Sequence, residues 1–244
     1  MTARPLRRQT IVACSPAAAR ELWLHGLDTW WPLDGFSVFG PDSTVEVRDR
    51  DIVETAPDGR TAVWGTITSD EDDRLAFTWH PGRGPETASQ IAVTFVRAAE
   101  EATLVTLVHD GWDSYPDPEA TRAHYATGWA TVLDRLAATR AAPGGADLWL
   151  VLEHRAGPAR PPGGVFSSPD FRKHLAFLTA LRQDGLLVAA GSLPDEAGAG
   201  MTIVRVGDAA AAAAVIRRAE LDDGSVVAGL LEVRARPWNV ALTG

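Results

Sequence analysis

The sequence predicts an α+β fold in each half of the chain. Between residues 44 and 109, apolar and polar residues alternate with a period of two, which is typical of antiparallel strands with one buried face. Residues 119–139 carry apolar residues at three- and four-residue steps, the spacing of an amphipathic helix. The second half of the chain reads as strand, helix, strand, strand, helix, strand.

The first domain, residues 1–140, opens with a strand near residues 9–13 and a helix over residues 17–24. Ser15 and Pro16 are residue types preferred at the N-cap and at the first helical position. A single mixed, charged strand is predicted for residues 44–53. Four more strands are predicted at residues 61–69, 75–80, 90–97 and 103–109.

The long helix of this domain follows Pro116 and Pro118 and has one apolar face. A curved antiparallel sheet around a long C-terminal helix often leaves a cavity between the two layers. The chain has 9 tryptophans, and although core packing explains any single one, a half-open sheet leaves some of the rings beside a void. The residues predicted to line a ligand-binding cavity are Trp64, Phe77, Trp79, Phe95, Trp112, Tyr125 and Trp129.

The linker is predicted at residues 141–147, where proline and paired glycines separate the long helix from an apolar strand. The second domain, residues 148–244, has strands at 148–154, 186–192, 201–206 and 226–236, with helices at 170–183 and 208–219. Asp208 is the expected N-cap of the second helix. This β-α-β-β-α-β order is the ferredoxin-like motif, whose helices cover one sheet face. The other face would be bare in a monomer, so a homodimer through the C-terminal domain is expected.

The composition excludes several classes of function. The net charge is −9, and the first 143 residues hold 13 of the 23 Lys and Arg and 21 of the 32 acidic residues. Such an acidic half repels phosphate backbones, so we expect no nucleic-acid partner. The apolar run at residues 209–216 is too short to span a membrane, and no secretory signal is recognisable. Cys14 is the only cysteine, which fits a cytoplasmic location and excludes an intrachain disulfide.

His174 and Asp223 are the candidate catalytic residues. His174 lies three residues from Phe171 and from Phe177, so it is expected to face the sheet, and Asp223 precedes the last strand. A histidine–carboxylate pair can move protons near neutral pH, and the alternative is a structural histidine bonded to a loop carboxylate. Asp222 competes with Asp223 for this position. His154 is expected to face solvent at a strand end, the alternative being that it lines the same pocket.

No metal or cofactor site is evident from the motifs. The sequence contains no zinc or iron ligand spacing, no P-loop and no strand-linked dinucleotide-binding glycine motif. We therefore expect no cofactor. Gly82, Gly84 and Pro85 are explained by a simple turn between strands.

Several motifs of the first half, taken together, resemble a known family. They are Trp30-Trp31-Pro32, Trp64-Gly65, LAFTW at 75–79, LVHDGW at 107–112 and YATGWATVLDRL at 125–136. They are similar to the START-like (SRPBCC) helix-grip superfamily, in the branch named after activators of the Hsp90 ATPase. This resemblance implies a helix-grip fold and an apolar cavity but no particular reaction, because the superfamily includes binders, cyclases and chaperone partners.

The second half resembles the YCII family. The residues that carry this resemblance are 150–154, KHLAFL at 173–178, Gly185, Ala190-Gly191, Gly200-Met201 and 222–238. The family is similar to dimeric α+β barrels with a proposed His–Asp acid/base pair, which implies that role for His174 and Asp223. The family often has Asp-Pro at the second position, whereas Gly224 follows Asp223 here.

Three functional hypotheses follow. The first is the binding of a small apolar or aromatic ligand in the cavity of the first domain. The second is an acid/base enzyme, a lyase, isomerase or dehalogenase, that uses His174 and Asp223. The third is a chaperone-linked protein-interaction module.

Overall fold

The fold is a mixed α+β arrangement in a computed structural model that describes residues 3–140 and 147–242. The chain divides into two compact units, the first containing a seven-stranded sheet and the second a four-stranded sheet. The linker predicted at residues 141–147 lies, apart from Asp147, outside the described residues. Among the described residues, no helix combines the length and the apolar character needed to cross a bilayer.

The first unit is built on a large antiparallel sheet with the strand order β1-β7-β6-β5-β4-β3-β2. Its strands are β1 (Leu6–Val12), β2 (Thr44–Arg48), β3 (Asp51–Thr55), β4 (Thr61–Glu71), β5 (Arg74–Trp79), β6 (Ser89–Ala99) and β7 (Ala102–Asp110). Its helices are α1 (Pro16–His25), α2 (Leu27–Trp30) and α3 (Pro118–Thr139). A large antiparallel sheet with one long helix agrees with the predicted α+β class and is consistent with a helix-grip fold.

Helix α3 packs on the sheet through its apolar face. Trp129, Val132, Leu133 and Leu136 are buried in one hydrophobic cluster with strand residues such as Phe77 and Val105. The helix begins where Asp117 accepts a hydrogen bond from the Ala120 N–H and Pro118 occupies the first turn. Helix α1 begins in the same way at Ser15 and Pro16, which confirms that predicted cap.

The expected single strand at residues 44–53 is wrong, because the chain turns in the middle of this segment. β2 and β3 pair antiparallel with Arg48 opposite Asp51. Between them Asp49 has φ 58°, a left-handed conformation that aspartate tolerates better than most residues. Some of the charged residues that suggested a single mixed strand belong to this tight turn.

The second unit runs β-α-β-β-α-β, with a short helix added before the last strand. Its elements are β8 (Leu148–Ala156), α4 (Phe171–Gln183), β9 (Leu187–Ser192), β10 (Gly200–Val206), α5 (Ala209–Leu221), α6 (Gly224–Val227) and β11 (Leu231–Pro237). The strands pair antiparallel in the order β11-β8-β10-β9. Asp208 caps α5 by accepting a hydrogen bond from the Ala211 N–H, as predicted.

The predicted strand at 226–236 is also wrong over its first half. Residues Gly224–Val227 form α6, and Gly229, at φ 70°, reverses the chain before β11 begins at Leu231. The apolar residues Val226 and Val227 suggested a strand. The Asp223 side chain, however, accepts a hydrogen bond from the Ser225 N–H and starts a helical turn instead.

Candidate functional site

The first unit contains a cavity of about 460 Å³ between α3, the sheet and the segment after α2. We call it the aromatic cavity. Four of the seven predicted residues line it: Trp64 and Trp79 from strands β4 and β5, and Tyr125 and Trp129 from helix α3. The other lining residues are Trp31, Phe36, Ser37, Val38, Pro81, Arg83, Tyr115, Thr121, His124, Gly128 and Val132.

The other three predicted residues, Phe77, Phe95 and Trp112, are buried but are not among those that line the cavity. Phe95 packs edge-on against Trp23, with ring centroids 6.5 Å apart. Trp112 is fully buried and donates its indole N–H to the Arg4 carbonyl at 3.1 Å. These three rings fill the core. Alternation along a strand predicts which side chains are buried, but it does not predict whether a buried side chain lies beside a void.

Trp31 joins the cavity tryptophans into one cluster. Its ring centroid lies 5.1 Å from that of Trp64, 5.7 Å from that of Trp79 and 5.9 Å from that of Trp129. Its indole N–H donates to the Phe36 carbonyl at 2.8 Å, which holds the ring against the segment after α2. The Trp-Trp-Pro motif is part of the family resemblance of the first half, but Trp31 was not among the residues predicted to line the cavity.

Glu54 is a fully buried carboxylate behind the cavity wall. It accepts hydrogen bonds from the Ser37 hydroxyl, from the Val38 N–H at 2.8 Å, from the Phe39 N–H at 3.0 Å and from the Trp64 indole at 2.9 Å. Burial raises the pKa of Glu54, but these hydrogen bonds outweigh it and hold the pKa below its ordinary value. Glu54 therefore positions three residues of the cavity lining, namely Ser37, Val38 and Trp64.

His109 is the second buried polar group of this unit, and its tautomer follows from its partners. An indole N–H only donates, so His109 Nδ1 accepts from Trp129 Nε1 at 3.0 Å. His109 Nε2 therefore carries the proton and donates to Ser89 Oγ at 2.8 Å, and Ser89 donates to the Trp79 carbonyl at 3.0 Å. Burial, and then the charge of Arg83, lowers the pKa of His109 to about 3. A neutral His109 thus orients Trp129, and Ser89 links it to the strand that carries Trp79.

Two tyrosine hydroxyls continue this network toward the cavity. Tyr115 Oη lies 3.3 Å from Ser89 Oγ and donates to Tyr125 Oη at 3.3 Å. Burial, and then the hydrogen bond between the Tyr115 and Tyr125 hydroxyls, raises the pKa of Tyr125. Tyr125 is therefore a neutral hydroxyl at physiological pH and can donate to, or accept from, a bound molecule.

Arg83 is the cavity residue that the sequence interpretation missed most clearly. Its guanidinium carbon lies 3.8 Å from the centre of the Tyr115 ring, and its Nη2 atom is buried without a hydrogen-bonding partner among the described residues. Arg83 lies inside the glycine- and proline-rich turn that was explained as a simple loop. The one available signal was an arginine placed between two strands that were both predicted to bear cavity aromatics.

In the second unit, His174 and Asp223 are in direct contact. His174 Nδ1 lies 2.6 Å from Asp223 Oδ2, and the two side chains are 9% and 0% exposed. Because an ionised carboxylate only accepts, His174 Nδ1 is the donor, which leaves Nε2 for a bound molecule. Asp222 is exposed, so the structure brings Asp223 rather than its neighbour to His174.

Ser225 ties the two halves of this pair together. Its N–H donates to Asp223 Oδ1 at 2.9 Å, and its hydroxyl accepts from the His174 N–H at 3.0 Å. The same hydroxyl donates to the Asp170 carbonyl at 2.7 Å. The first turn of α4 is thereby fixed to the start of α6, and both catalytic candidates are held by backbone contacts.

The expectation that His154 faces solvent is wrong. His154 is 3% exposed, its ring centroid lies 4.5 Å from that of His174, and within residues 3–140 and 147–242 no hydrogen bond of ordinary geometry reaches either ring nitrogen. Burial, and then the neighbouring His174, lowers the pKa of His154 to about 4, against smaller raising effects of Asp223 and the Leu152 carbonyl. His154 continues the buried alternation of Leu148, Leu150 and Leu152, which was the signal for its inward orientation.

His154 and His174 border a cavity of about 230 Å³, which we call the His174 pocket, whereas Asp223 lies behind His174 and is not among the lining residues. His154, His174, Phe166, Phe171 and Met201 are among its lining residues. His154, His174 and Asp223 can each offer one ligand atom within 4.8 Å of the others, a donor set that suits a divalent transition metal. No metal spacing was visible in the sequence, because the three residues come from three separate segments.

Comparison with known proteins gives one family match. The family described as "Activator of Hsp90 ATPase homolog 1-like protein" matches residues 27–141, somewhat less than half of the chain. This match agrees with the resemblance of the first half to that branch. No curated protein matches the chain.

Solved structures show a weaker similarity that covers a little more than half of the chain. One, described as an anthrahydroquino-gamma-pyrone synthase, is 24% identical, with 57% of this chain and 97% of that chain covered and a TM-score of 0.42. The Aha1 dimer from Colwellia psychrerythraea is 18% identical, with 57% and 96% covered and a TM-score of 0.42. The self-sacrificing resistance protein CalC from Micromonospora echinospora is 23% identical, with 55% and 92% covered and a TM-score of 0.38. These TM-scores are too low to support an argument about this chain.

Proposed function

We propose that the first unit binds a small aromatic molecule in the aromatic cavity. The observation that carries this proposal is the cavity itself, about 460 Å³ walled by Trp31, Trp64, Trp79 and Trp129. This volume lies in the range of pockets that enclose small organic ligands, roughly 300–1,000 Å³. The family match over residues 27–141 supports the proposal, because this kind of fold commonly binds small hydrophobic molecules.

The chemistry of the wall favours a flat ring with a few polar groups. Indole and phenol faces offer stacking and edge contacts to an aromatic ligand. The hydroxyls of Tyr115 and Tyr125 offer a small number of directed hydrogen bonds in the same cavity. Glu54 and His109 hold Trp64 and Trp129 in place, so the wall is formed before a ligand arrives.

Filling the cavity tests this proposal. Gly128 lines the cavity, and a Cβ atom there would lie 3.0 Å from the Phe36 ring. We expect Gly128→Leu to weaken the binding of the neutral fluorescent probe N-phenyl-1-naphthylamine by at least about tenfold, or roughly 1.4 kcal/mol. The measurement is a fluorescence titration of the intact chain.

The matched control for this experiment is Ala123→Leu, which adds a leucine to an exposed position of the same helix. It should leave probe binding unchanged. The proposal fails if the probe does not bind the native protein saturably. It also fails if the probe binds the two variants equally well.

A second candidate function is acid/base catalysis in the His174 pocket, and the 2.6 Å contact between His174 and Asp223 favours it. A carboxylate on Nδ1 orients the imidazole and stabilises its protonated form, so that Nε2 can take up and release a proton. We propose a small substrate, phenolic, lactone-like or halogenated, that is processed without a covalent nucleophile. This role for the second unit also follows from its resemblance to the YCII family.

Neutralising the carboxylate tests this second function. With a panel of phenols, lactones and chlorinated phenols, we expect Asp223→Asn and His174→Gln to reduce any turnover by about 100-fold or more. Asp222→Asn, which changes the exposed neighbour by the same atoms, should retain activity. If turnover survives His174→Gln in a folded protein, the pair has a structural role only.

We further propose that the second unit is a ferredoxin-like domain that pairs with a second copy. Its strand order, β11-β8-β10-β9, supports the first part of this proposal. The second part is supported by Trp149, Val151 and Ile203, which lie on the sheet face opposite the buried Leu148–Leu152 row and are only half-buried. Light scattering on the intact chain tests this pairing.

The chaperone-linked role stays a prediction.

A further inference from the structure

Arg83 occupies a turn that the chain holds in place from both sides. The Arg83 N–H donates to the His80 carbonyl at 2.8 Å, and His80 Nδ1 lies 3.2 Å from the Arg83 carbonyl. His80 is itself 4% exposed, and Gly82 completes the turn with φ 70°. The backbone that carries this arginine into the aromatic cavity is therefore anchored to the end of β5.

The Arg83 guanidinium packs on an aromatic ring, and no described carboxylate compensates its charge. It stacks on the Tyr115 ring at 3.8 Å, which fixes its plane, and its Nη2 atom is buried without a hydrogen-bonding partner. In the part of the chain that the structure describes, no carboxylate forms an ion pair with Arg83. Arg83 as a whole is half-buried, but a donor nitrogen that is buried without an acceptor is costly, and native proteins rarely retain one without a use.

Of the residues that the structure describes, none that lines the cavity has a carboxylate to compensate this charge. The described lining residues include one permanent cation, Arg83, two hydroxyls from tyrosine and several indole rings. Glu54, a buried acid of the first unit, lies behind the wall and already accepts hydrogen bonds from Ser37, Val38, Phe39 and Trp64. After burial, the positive charge of Arg83 is the second cause of the low pKa of His109, and it opposes, without reversing, the rise in the pKa of Tyr125.

We propose that the ligand of the aromatic cavity is an aromatic anion, whose carboxylate, sulfonate or ionised enol oxygen binds Arg83 while its ring lies among the tryptophans. This inference rests on the proposed function of the first unit and adds the charge of the ligand to it. Arginine suits this task because its planar fork donates two parallel hydrogen bonds to an oxyanion. Tyr115 keeps the fork oriented by stacking before the ligand arrives.

Two probes that differ in one group test the inference. N-phenyl-1-naphthylamine is neutral, and 1-anilinonaphthalene-8-sulfonate has the same ring system with an added sulfonate. We expect Arg83→Gln to weaken binding of the sulfonated probe by about tenfold or more while binding of the neutral probe changes by less than about twofold. Raising the salt concentration should weaken only the sulfonated probe.

The control Arg74→Gln removes one positive charge from an exposed position on β5 and should change neither affinity. Arg83→Lys retains the charge but not the fork, so it should preserve part of the preference for the sulfonate, and circular dichroism shows which variants are folded. Gly128→Leu should weaken both probes, which places them in the cavity.

The outcomes separate the two proposals. If neither probe saturates the native protein, or if Gly128→Leu leaves both unaffected, the proposed binding function fails. If both probes bind in the cavity but Arg83→Gln weakens them equally, or weakens neither, the ligand is not an anion and the binding function stands.

Discussion

Replacing Glu54 with alanine is expected to lower the free energy of unfolding of the first unit by about 3 to 5 kcal/mol. Glu54 is fully buried, and its removal leaves the Val38 N–H and the Trp64 indole N–H without an acceptor. A buried donor without a partner, here the Trp64 indole N–H, costs about 1–3 kcal/mol, the partly buried Val38 N–H adds less, and the vacated space adds a cavity. Urea unfolding followed by tryptophan fluorescence measures this change, since seven of the nine tryptophans precede residue 140.

The loss should extend to ligand binding, because Ser37, Val38 and Trp64 line the aromatic cavity. Glu46→Ala is the matched control. Glu46 belongs to the neighbouring strand β2, is exposed and pairs only with the exposed Arg48, so we expect a change below about 0.5 kcal/mol. Equal effects of the two substitutions would show that the buried carboxylate does not support the cavity wall.

Lowering the pH from 6.5 to 5 is expected to remove about 2 kcal/mol from the stability of the first unit through His109 alone. The folded protein holds the pKa of His109 at about 3, whereas an unfolded histidine titrates near 6.5. Between these values the unfolded state binds the proton and the folded state does not, so stability falls as the pH falls. The contribution is fully present above pH 6.5, and it is lost at about 1.4 kcal/mol per pH unit down to about pH 3.

His109→Gln isolates this effect. A glutamine can accept from Trp129 through its oxygen and donate to Ser89 through its amide, but it does not titrate. The variant should therefore show a shallower fall in stability between pH 6.5 and 5 than the native protein, while all other groups contribute equally to both. Identical slopes for the two proteins would mean that His109 is not held neutral by its buried environment.

Most helices and strands of both units could be predicted from local patterns. Alternation marked the strands, the spacing of Trp129, Val132, Leu133 and Leu136 marked α3, and Ser15 and Asp208 marked helix starts that the structure confirms. The errors lie where a short-range feature interrupts a pattern. Asp49 turns the chain between β2 and β3, and Asp223 starts a helical turn in a segment that otherwise resembles a strand.

The candidate sites could be predicted only in part. Aromatic residues of the cavity were found by type, but Phe77, Phe95 and Trp112 proved to be core residues, and Trp31 and Arg83 were missed. His174 and Asp223 were named correctly as neighbours, whereas His154 was placed in solvent. The alternation of apolar residues along β8 was enough to predict that His154 is buried. No comparable pattern in the sequence indicated the roles of Glu54 and His109.

The sequence alone determined which faces of the strands and of the long helix are apolar and, for most elements, in what order they follow, because periodicity and capping depend on residues only a few positions apart. The tertiary structure decided what each buried residue meets. Glu54 is bound by groups 10 to 17 residues away, His109 by a tryptophan 20 residues away, and His174 by an aspartate 49 residues away. Whether a buried side chain finds a partner, a packed neighbour or a void is set by how distant segments come together, and local periodicity contains no information about that distance.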